Sequence, residues 1–487
     1  MTVKLSNRLY IILVNLIAIL LVFLNKENGF FWDTIQLASQ HGDFYYSNNF
    51  SHLLLPIELD SGHIPTFGMY IAFVWNIFGR SVEVSHLAML PFAIGIVWQL
   101  NNLCKRFVVE KYIGIALLLV FIDASLMSQI ALVSPDVPLI FFFLLALNSV
   151  LENNRILITV GVLCLFLTSM RGMMLSFCLV LIDVYSNIVY QNLLKSEKIK
   201  ALLKRALLYL PALALFISFS VYHYSEKGWI GYHKDSPWAG CFERTDFNGF
   251  LFNIGLLGWR ILDFGRVGIW IVFLWLVIKY KSRIIKDKKN SVLFFSFIIV
   301  LFLLPLNMLW AKNLMGHRYL TPINMLFSVL TASILFSDFV ATKLKNILIA
   351  VWLLIVLSGN FWIYPPKISK GWDSTLAHLS YYKLRQQAIN YLDNKRIDFK
   401  DVDSFFPNYY SLEDIDLNND KRSFDNYAIG NNSRYILYSN IFNLNDDVYD
   451  YIMTNYVAVK EFKKNGVYIL LMKKTISSSL PLQSRNP

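Results

Sequence analysis

Apolar residues gather along this chain into long runs separated by short polar stretches, the pattern of packed helices rather than of alternating strands. The runs lie near residues 9–24, 65–79, 84–104, 112–131, 135–151, 156–170, 172–190, 206–223, 264–280, 291–310, 319–337 and 345–363. Each is a candidate membrane crossing, for which about 20 apolar residues are needed. The 65–79 run has 15 residues and is expected to lie at or dip into the membrane surface, which leaves eleven crossings; a chain that starts outside restores twelve. Beyond residue 364 the runs shorten to strand length. Asn465-Gly466, between Tyr456–Phe462 and Val467–Met472, predicts a hairpin, because Asn-Gly supplies the positive φ angles of a tight turn. Ser433–Ser439 and Val402–Phe406 read as further strands, and 374–394 as a helix. The expected architecture is a polytopic α-helical membrane module over 1–364, with an outer loop at 25–64, followed by a small extracytoplasmic α/β domain over 365–487.

Composition agrees, with 56% hydrophobic residues against roughly 45–50% in an ordinary soluble domain, and 16% charged against about 25%. A water-soluble enzyme is not what this describes. The net charge of +12 would suit nucleic acid if it were spread over a surface, but residues 191–205 carry a net +4 and residues 279–289 a net +5. Basic loops between apolar runs mark a cytoplasmic face, so the excess reports orientation and no nucleic-acid partner is expected. The first run follows Lys4 and Arg8 and precedes no small-residue cleavage site, so it reads as a retained anchor in the plasma (inner) membrane with its start on the cytoplasmic side. Counting crossings from the two basic loops puts Lys105, Arg106, Lys111, Arg155, Lys343 and Lys345 inside as well. Asp136, Arg171, the loop 224–263, the stretch around Arg318 and everything after Tyr364 then fall outside. Cys104, Cys164 and Cys178 lie in apolar runs and Cys241 has no obvious partner, so no disulfide framework is implied.

Ionisable residues at a membrane face are costly and tend to be functional. The loop 25–64 holds Asp33, Asp43, Asp60 and His63 among aromatics such as Phe31-Trp32 and Phe44-Tyr45-Tyr46. Asp33 sits at the exit of the first run, where it is either a site carboxylate or a cap beside an aromatic belt. Asp136, in Ser134-Pro135-Asp136-Val137-Pro138, reads on local grounds first as a turn between helices with Asp capping the next one, and otherwise as a second site carboxylate. His63 stands in a Gly/Pro-punctuated turn. Arg318, in Gly316-His317-Arg318-Tyr319-Leu320-Thr321-Pro322, and Arg171 can clamp a phosphate or only snorkel to lipid headgroups. The orientation was derived from lysines and arginines in other loops, and it sends Asp33, Asp60, Asp136, Arg171 and Arg318 to one face. Cations that hold a phosphate beside a carboxylate that deprotonates a hydroxyl suit chemistry on a lipid-linked phosphate.

These residues resemble those of the C-type (GT-C) integral-membrane glycosyltransferases that use polyprenyl-phosphate sugars, nearest to the protein O-mannosyltransferases and the lipid A aminoarabinose transferases. The resemblance covers residues 8–330 and rests on the order of Asp33, Gly42-Asp43-Phe44, His63 to Gly79, Pro135-Asp136 with Pro138-Leu139, and Arg318-Tyr319-Leu320 with Pro322. It implies Asp33 as general base on the acceptor and Asp136 as a second catalytic acid. It also implies substrate contacts from Asp43, Asp60, His63, Arg171, Arg318 and Tyr319, with Arg318 on the lipid phosphate. In some members a divalent metal ion binds, for which Asp33 and Asp136 are the candidates here. Two departures concern the acceptor: Thr34 follows Asp33 where many relatives have a second acid, and the usual double proline is reduced to Ile64-Pro65. The implied function is transfer of a sugar from a polyprenyl-phosphate donor to a protein, lipid or glycan acceptor on the extracytoplasmic side of the membrane. A transporter or flippase of lipid-linked saccharides is the alternative. A scaffold centred on 365–487 is a third possibility, although that region lacks a clustered metal or nucleophile motif.

Overall fold

The apolar runs fold as helices whose ends are set by local chemistry. Ser169 caps Met170–Val184 by accepting from the Gly172 amide, and Asn154 caps Arg155–Thr168 by accepting from that of Leu157. Pro135 opens Asp136–Glu152, where a missing N–H is no loss, and Asn153 closes it in the left-handed region. Thr321–Leu335 is buried along its whole length, as a helix apolar on every side must be. The computed structural model describes residues 2–190, 195–236, 238–287, 289–313, 315–368, 371–428 and 433–475, and it is mostly helical with a small sheet near the C-terminus. Its contacts divide it into two units: Met1–Trp362 together with Asp373–Leu376, and Ile363–Trp372 together with the chain from Ala377 onward.

Among the described residues of the first unit, four helices are long and apolar enough to cross a membrane: Val82–Phe107, Met170–Val189, Lys289–Leu309 and Thr342–Phe361. Three bent pairs bring the number to seven if each is one span. These are Glu110–Phe121 with Ala124–Ile130 (72°), Glu197–Ala206 with Leu210–Lys227 (43°) and Phe247–Leu262 with Val267–Lys286 (87°). Outward faces are apolar too, with Ile278, Ile156 and Leu354 exposed at 82%, 76% and 72%. Such surfaces are consistent with a membrane protein. The helices depart from the expected runs at several points; the basic stretch 191–205, expected as a loop, holds the helix Lys195–Ala206, and that of 279–289 largely continues the helix Val267–Lys286. The 112–131 run breaks at Asp123, whose carboxylate accepts from the Ser125 and Leu126 amides and starts a new helix. The expected loop 224–263 contains the helix Phe247–Leu262, which Asn248, Gly249, Asn253, Gly255 and Gly258 disguise by diluting its apolar content. The 65–79 run forms the 13-residue helix Thr66–Phe78, about 20 Å long at 1.5 Å per residue. Residues 191–194 and Lys288, which belong to the two basic stretches, lie outside the described residues. Cys104, Cys164 and Cys178 are free; the side chain of Cys241 lies outside the described residues.

The second unit is built on a five-stranded sheet of order β2-β1-β3-β5-β4, with β1 Val402–Ser404, β2 Asp425–Asn426, β3 Tyr435–Ser439, β4 Tyr456–Lys464 and β5 Val467–Lys474. β1 is parallel to β2 and β3, while β5 is antiparallel to β3 and β4. Asn465 (φ 49°) and Gly466 (φ 78°) make the expected tight turn between β4 and β5. Val467, Ile469 and Leu471 alternate inward along β5, and the helix Ser380–Lys395 packs against β4 and β5. Its buried positions Tyr381, Leu384, Arg385, Ala388, Ile389 and Leu392 follow the helical period. Regular helix starts at Ser380 rather than at 374, because Trp372–Ser374 and Leu376–Leu379 are 3-10 turns.

Candidate functional site

Four charged residues that line one cavity of the first unit, Asp33, Asp136, Arg171 and Arg318, are delivered by chain breaks or helix ends. The first helix ends at Phe23, so Asp33 lies beyond an irregular stretch, 24–31, and not directly at the helix exit. Trp32 takes a positive φ of 54°, and Thr34 Oγ1 donates to the Phe31 carbonyl at 2.8 Å while accepting from its amide at 2.9 Å. This turn presents Asp33 in front of a π-helical segment, Ile35–Gln40, a type of local distortion frequent at functional sites. Asp136 occupies the first turn of Asp136–Glu152, where a carboxylate is favoured by the helix dipole. Arg171 sits in the first turn of Met170–Val184, where the dipole disfavours a cation. It therefore needs an anionic partner, and finds Asp136. Arg318 belongs to the 3-10 turn His317–Leu320, whose geometry Thr321 Oγ1 fixes by donating to the Arg318 carbonyl at 2.8 Å.

These pieces meet. Arg318 donates through Nη2 to Asp33, and its Nε and Nη1 pair with Asp136 at 3.3 Å and Asp373 at 2.7 Å. Arg171 Nη1 pairs with Asp136 at 2.5 Å. The Tyr319 ring lies under both guanidiniums, 4.2 Å from Arg171 and 5.2 Å from Arg318. Three carboxylates against two guanidiniums leave one surplus negative charge. Burial pushes the Asp373 carboxyl up from the ordinary carboxylate range; Arg318 opposes the shift, and Asp33 and Asp136 add to it. Asp33, Asp136, Arg171, Arg318 and Tyr319 line a cavity of about 210 Å³ together with His63 and His41. Burial, and then the charge of Arg171, hold His63 down at about 4; Asp60 and the Gly62 backbone oppose this. His63 is thus a neutral imidazole at neutral pH. Its Nδ1 has no hydrogen-bond partner among the described residues. An apolar recess of about 160 Å³, lined by Tyr70, Phe92, Pro138, Phe142, Cys164 and Leu167, shares Phe67 and Thr168 with the cavity.

Two expected contacts are engaged elsewhere. Asp43 pairs with Arg80 at 2.8 Å, away from the cavity wall. Asp60 accepts from the Gly62 amide at 2.8 Å and pairs through Oδ2 with His223 Nε2 at 2.9 Å, so its carboxylate braces the loop that carries His63. The N-cap positions beside Asp33 and Asp136 are Thr34 and Pro135, neither of which makes a side-chain cap bond, and the carboxylates of Asp33 and Asp136 meet Arg318. The residue that sequence reasoning missed is Asp373, which lies in a stretch assigned to the C-terminal domain and has no pattern around it. The wall also includes Trp238, Phe242 and Arg244 from the 224–263 stretch and Asn307.

Asp33 and Asp136 both face Arg318, so a dication between them would have to displace the guanidinium. Among the described residues no group of three His, Cys, Asp or Glu side chains is placed to hold a metal ion. The residues do not fit such a group, and no step is derived through one. The first unit contains a second buried pair: Arg266 holds Asp123 through Nε at 2.7 Å and Nη2 at 2.9 Å, and its Nη2 also donates to Ser125 Oγ at 2.7 Å. Fold and site together define a mostly helical protein with helices fit for a membrane and a charged cavity beside an apolar recess. Comparison with protein-family models, curated proteins and solved structures finds no match.

Proposed function

We propose that this chain is an integral-membrane glycosyltransferase that moves a sugar from a polyprenyl-phosphate donor to an acceptor hydroxyl on the extracytoplasmic side. The observation that carries the reading is the convergence of Asp33, Asp136, Arg171 and Arg318, far apart in sequence, on one cavity. A phosphodiester with a long apolar tail suits that cavity and the recess beside it. Asp33 takes the proton of the acceptor hydroxyl, whose oxygen attacks the anomeric carbon as the bond to the phosphate oxygen breaks, with inversion. Arg318 and Arg171 face the charge that develops on the leaving phosphate. Charge balances within the step, because Asp33 becomes neutral as the phosphate oxygen gains its charge. Tyr319 keeps both guanidiniums oriented, and neutral His63 can donate a hydrogen bond to the donor. In this reading the first unit crosses the membrane about eleven times, and the second unit lies outside the plasma membrane, where it helps select a protein, lipid or glycan acceptor.

A second reading, a transporter or flippase of lipid-linked saccharides, is favoured by one feature. Asp123 and Arg266 lie at the breaks of two bent helix pairs and join them, and broken helices with buried ionisable groups are common in transporters. Native mass spectrometry of the purified protein separates the readings. A co-purifying polyprenyl phosphate, with transfer of its sugar in vesicles, supports the enzyme; movement of an intact lipid-linked saccharide across the bilayer with no transfer overturns it.

A further inference from the structure

Arg318 has one partner that no apolar run announces. The 3-10 turn Trp372–Ser374, past the last long helix of the first unit, brings Asp373 to its Nη1 at 2.7 Å. The approach is built from several directions. The Asp373 carbonyl accepts from Ser128 Oγ and from Gln129 Nε2, each at 2.7 Å, and the Ser374 carbonyl accepts from Ser125 Oγ at 3.3 Å. Gln129 Oε1 accepts from Ser134 Oγ at 2.5 Å, and Ser134 Oγ accepts from the Asp136 amide at 3.2 Å. The backbones that carry Asp373 and Asp136 are therefore registered against the same short helix, Ala124–Ile130, and Arg318 is held between the two carboxylates. Arg318 is on the cavity wall whereas Asp373 is not among the lining residues, so Asp373 acts on anything in the cavity through the guanidinium.

We propose that Asp373 is a positioning residue of this site, which fixes the Arg318 guanidinium and partly neutralises it, and so sets how tightly the cavity takes a phosphodiester. The proposal rests on reading the cavity as a phosphate site. With Asp373 ionised the cluster carries one surplus negative charge, and a diester would bring a second; without that carboxylate the cluster is balanced before the anion arrives. A carboxylate kept a few ångströms from a bound anion weakens its binding, by roughly tenfold at dielectrics between those of water and a protein surface.

The test measures binding of farnesyl methyl phosphate, a diester with one negative charge, to the purified full chain in detergent, with neutral farnesol as control. Asp373→Asn is expected to tighten diester binding by about tenfold, while Asp373→Glu, which keeps the charge, stays close to wild type. A merely structural role would weaken binding in both variants. If Asp373→Asn binds the diester no more tightly than wild type, or if Asp373→Glu behaves like Asp373→Asn, the role of Asp373 is overturned while the phosphate site stands. If farnesol binds as tightly as the diester, the phosphate site itself is overturned. Asp373→Ser carries the same expectation should Asp373→Asn not fold. Failure of both to fold while Asp373→Glu folds would make this a folding residue and overturn the proposal.

Discussion

Replacing Asp33 with asparagine separates chemistry from architecture at this site. The substitution keeps shape and removes one charge. Arg318 loses one charge-assisted hydrogen bond, worth about 1.5–3 kcal/mol, but keeps Asp136 at 3.3 Å and Asp373 at 2.7 Å. No buried guanidinium is left unpaired, and the surplus negative charge disappears, which offsets part of the loss. Stability should therefore change by no more than about 1–2 kcal/mol. Activity should change far more. A positioned general base contributes about 10²–10⁴-fold, equivalent to roughly 3–5 kcal/mol of barrier. The assay pairs sugar transfer from a radiolabelled polyprenyl-phosphate donor in vesicles with the thermal midpoint of the same preparation. Transfer at the wild-type rate would remove Asp33 from the mechanism. A large drop in the midpoint that parallels the loss of transfer would reduce it to a structural residue.

Other expectations follow from the buried groups. Arg266→Met strands the Asp123 carboxylate in the interior and should cost about 3–5 kcal/mol, whereas Asp123→Leu with Arg266→Met should recover part of that, falling short by the cap that the Ser125 and Leu126 amides lose, about 0.5–2 kcal/mol; thermal melts in which the losses of the two single variants simply add would refute it. Burial pushes His41 down to about 4, against the Leu59 carbonyl that its Nε2 meets at 2.8 Å. The folded value lies below the ordinary 6.5, so the neutral form's stabilisation, about 3 kcal/mol when complete, is present above that pH and lost as pH falls towards about 4. Denaturation midpoints in His41→Gln should fall less between about pH 7 and about pH 5 than in wild type, and an equal fall would count against it. Gly466 has φ 78°, and an added Cβ would meet Ile363 Cδ1 at 2.5 Å. Gly466→Ala should cost at least about 1 kcal/mol, read as faster amide exchange confined to β4 and β5.

The parts of the site that could be read from sequence were those that interrupt an apolar pattern. Asp33, Asp136, Arg171 and Arg318 each stand at the end of a hydrophobic run, where an ionisable side chain is conspicuous. Asp43 and Asp60 looked alike from sequence, yet Arg80 and His223 engage them, and such pairings are tertiary facts without a local signature. Asp373 is hidden for the opposite reason: its neighbours Trp372 and Ser374 carry no periodicity, and its partner lies 55 residues back along the chain. In the fold, the Asn465-Gly466 turn was legible because only a few residue types accept its backbone. The bends at Asp123 and before Arg266 were not, since hydrophobicity reports burial and is silent about direction. Phe247–Leu262 was missed because its glycines and asparagines made a helix look like a loop.

The short stretch Asp373–Leu376 belongs to the helical unit although the residues on either side belong to the other. A truncation after Trp362 would therefore remove a ligand of Arg318 along with the sheet, and its failure would say nothing about the sheet. Stopping the chain after Leu376 instead keeps that carboxylate, so only this pair of endpoints, compared side by side, can assign a lost activity to one half of the molecule or the other.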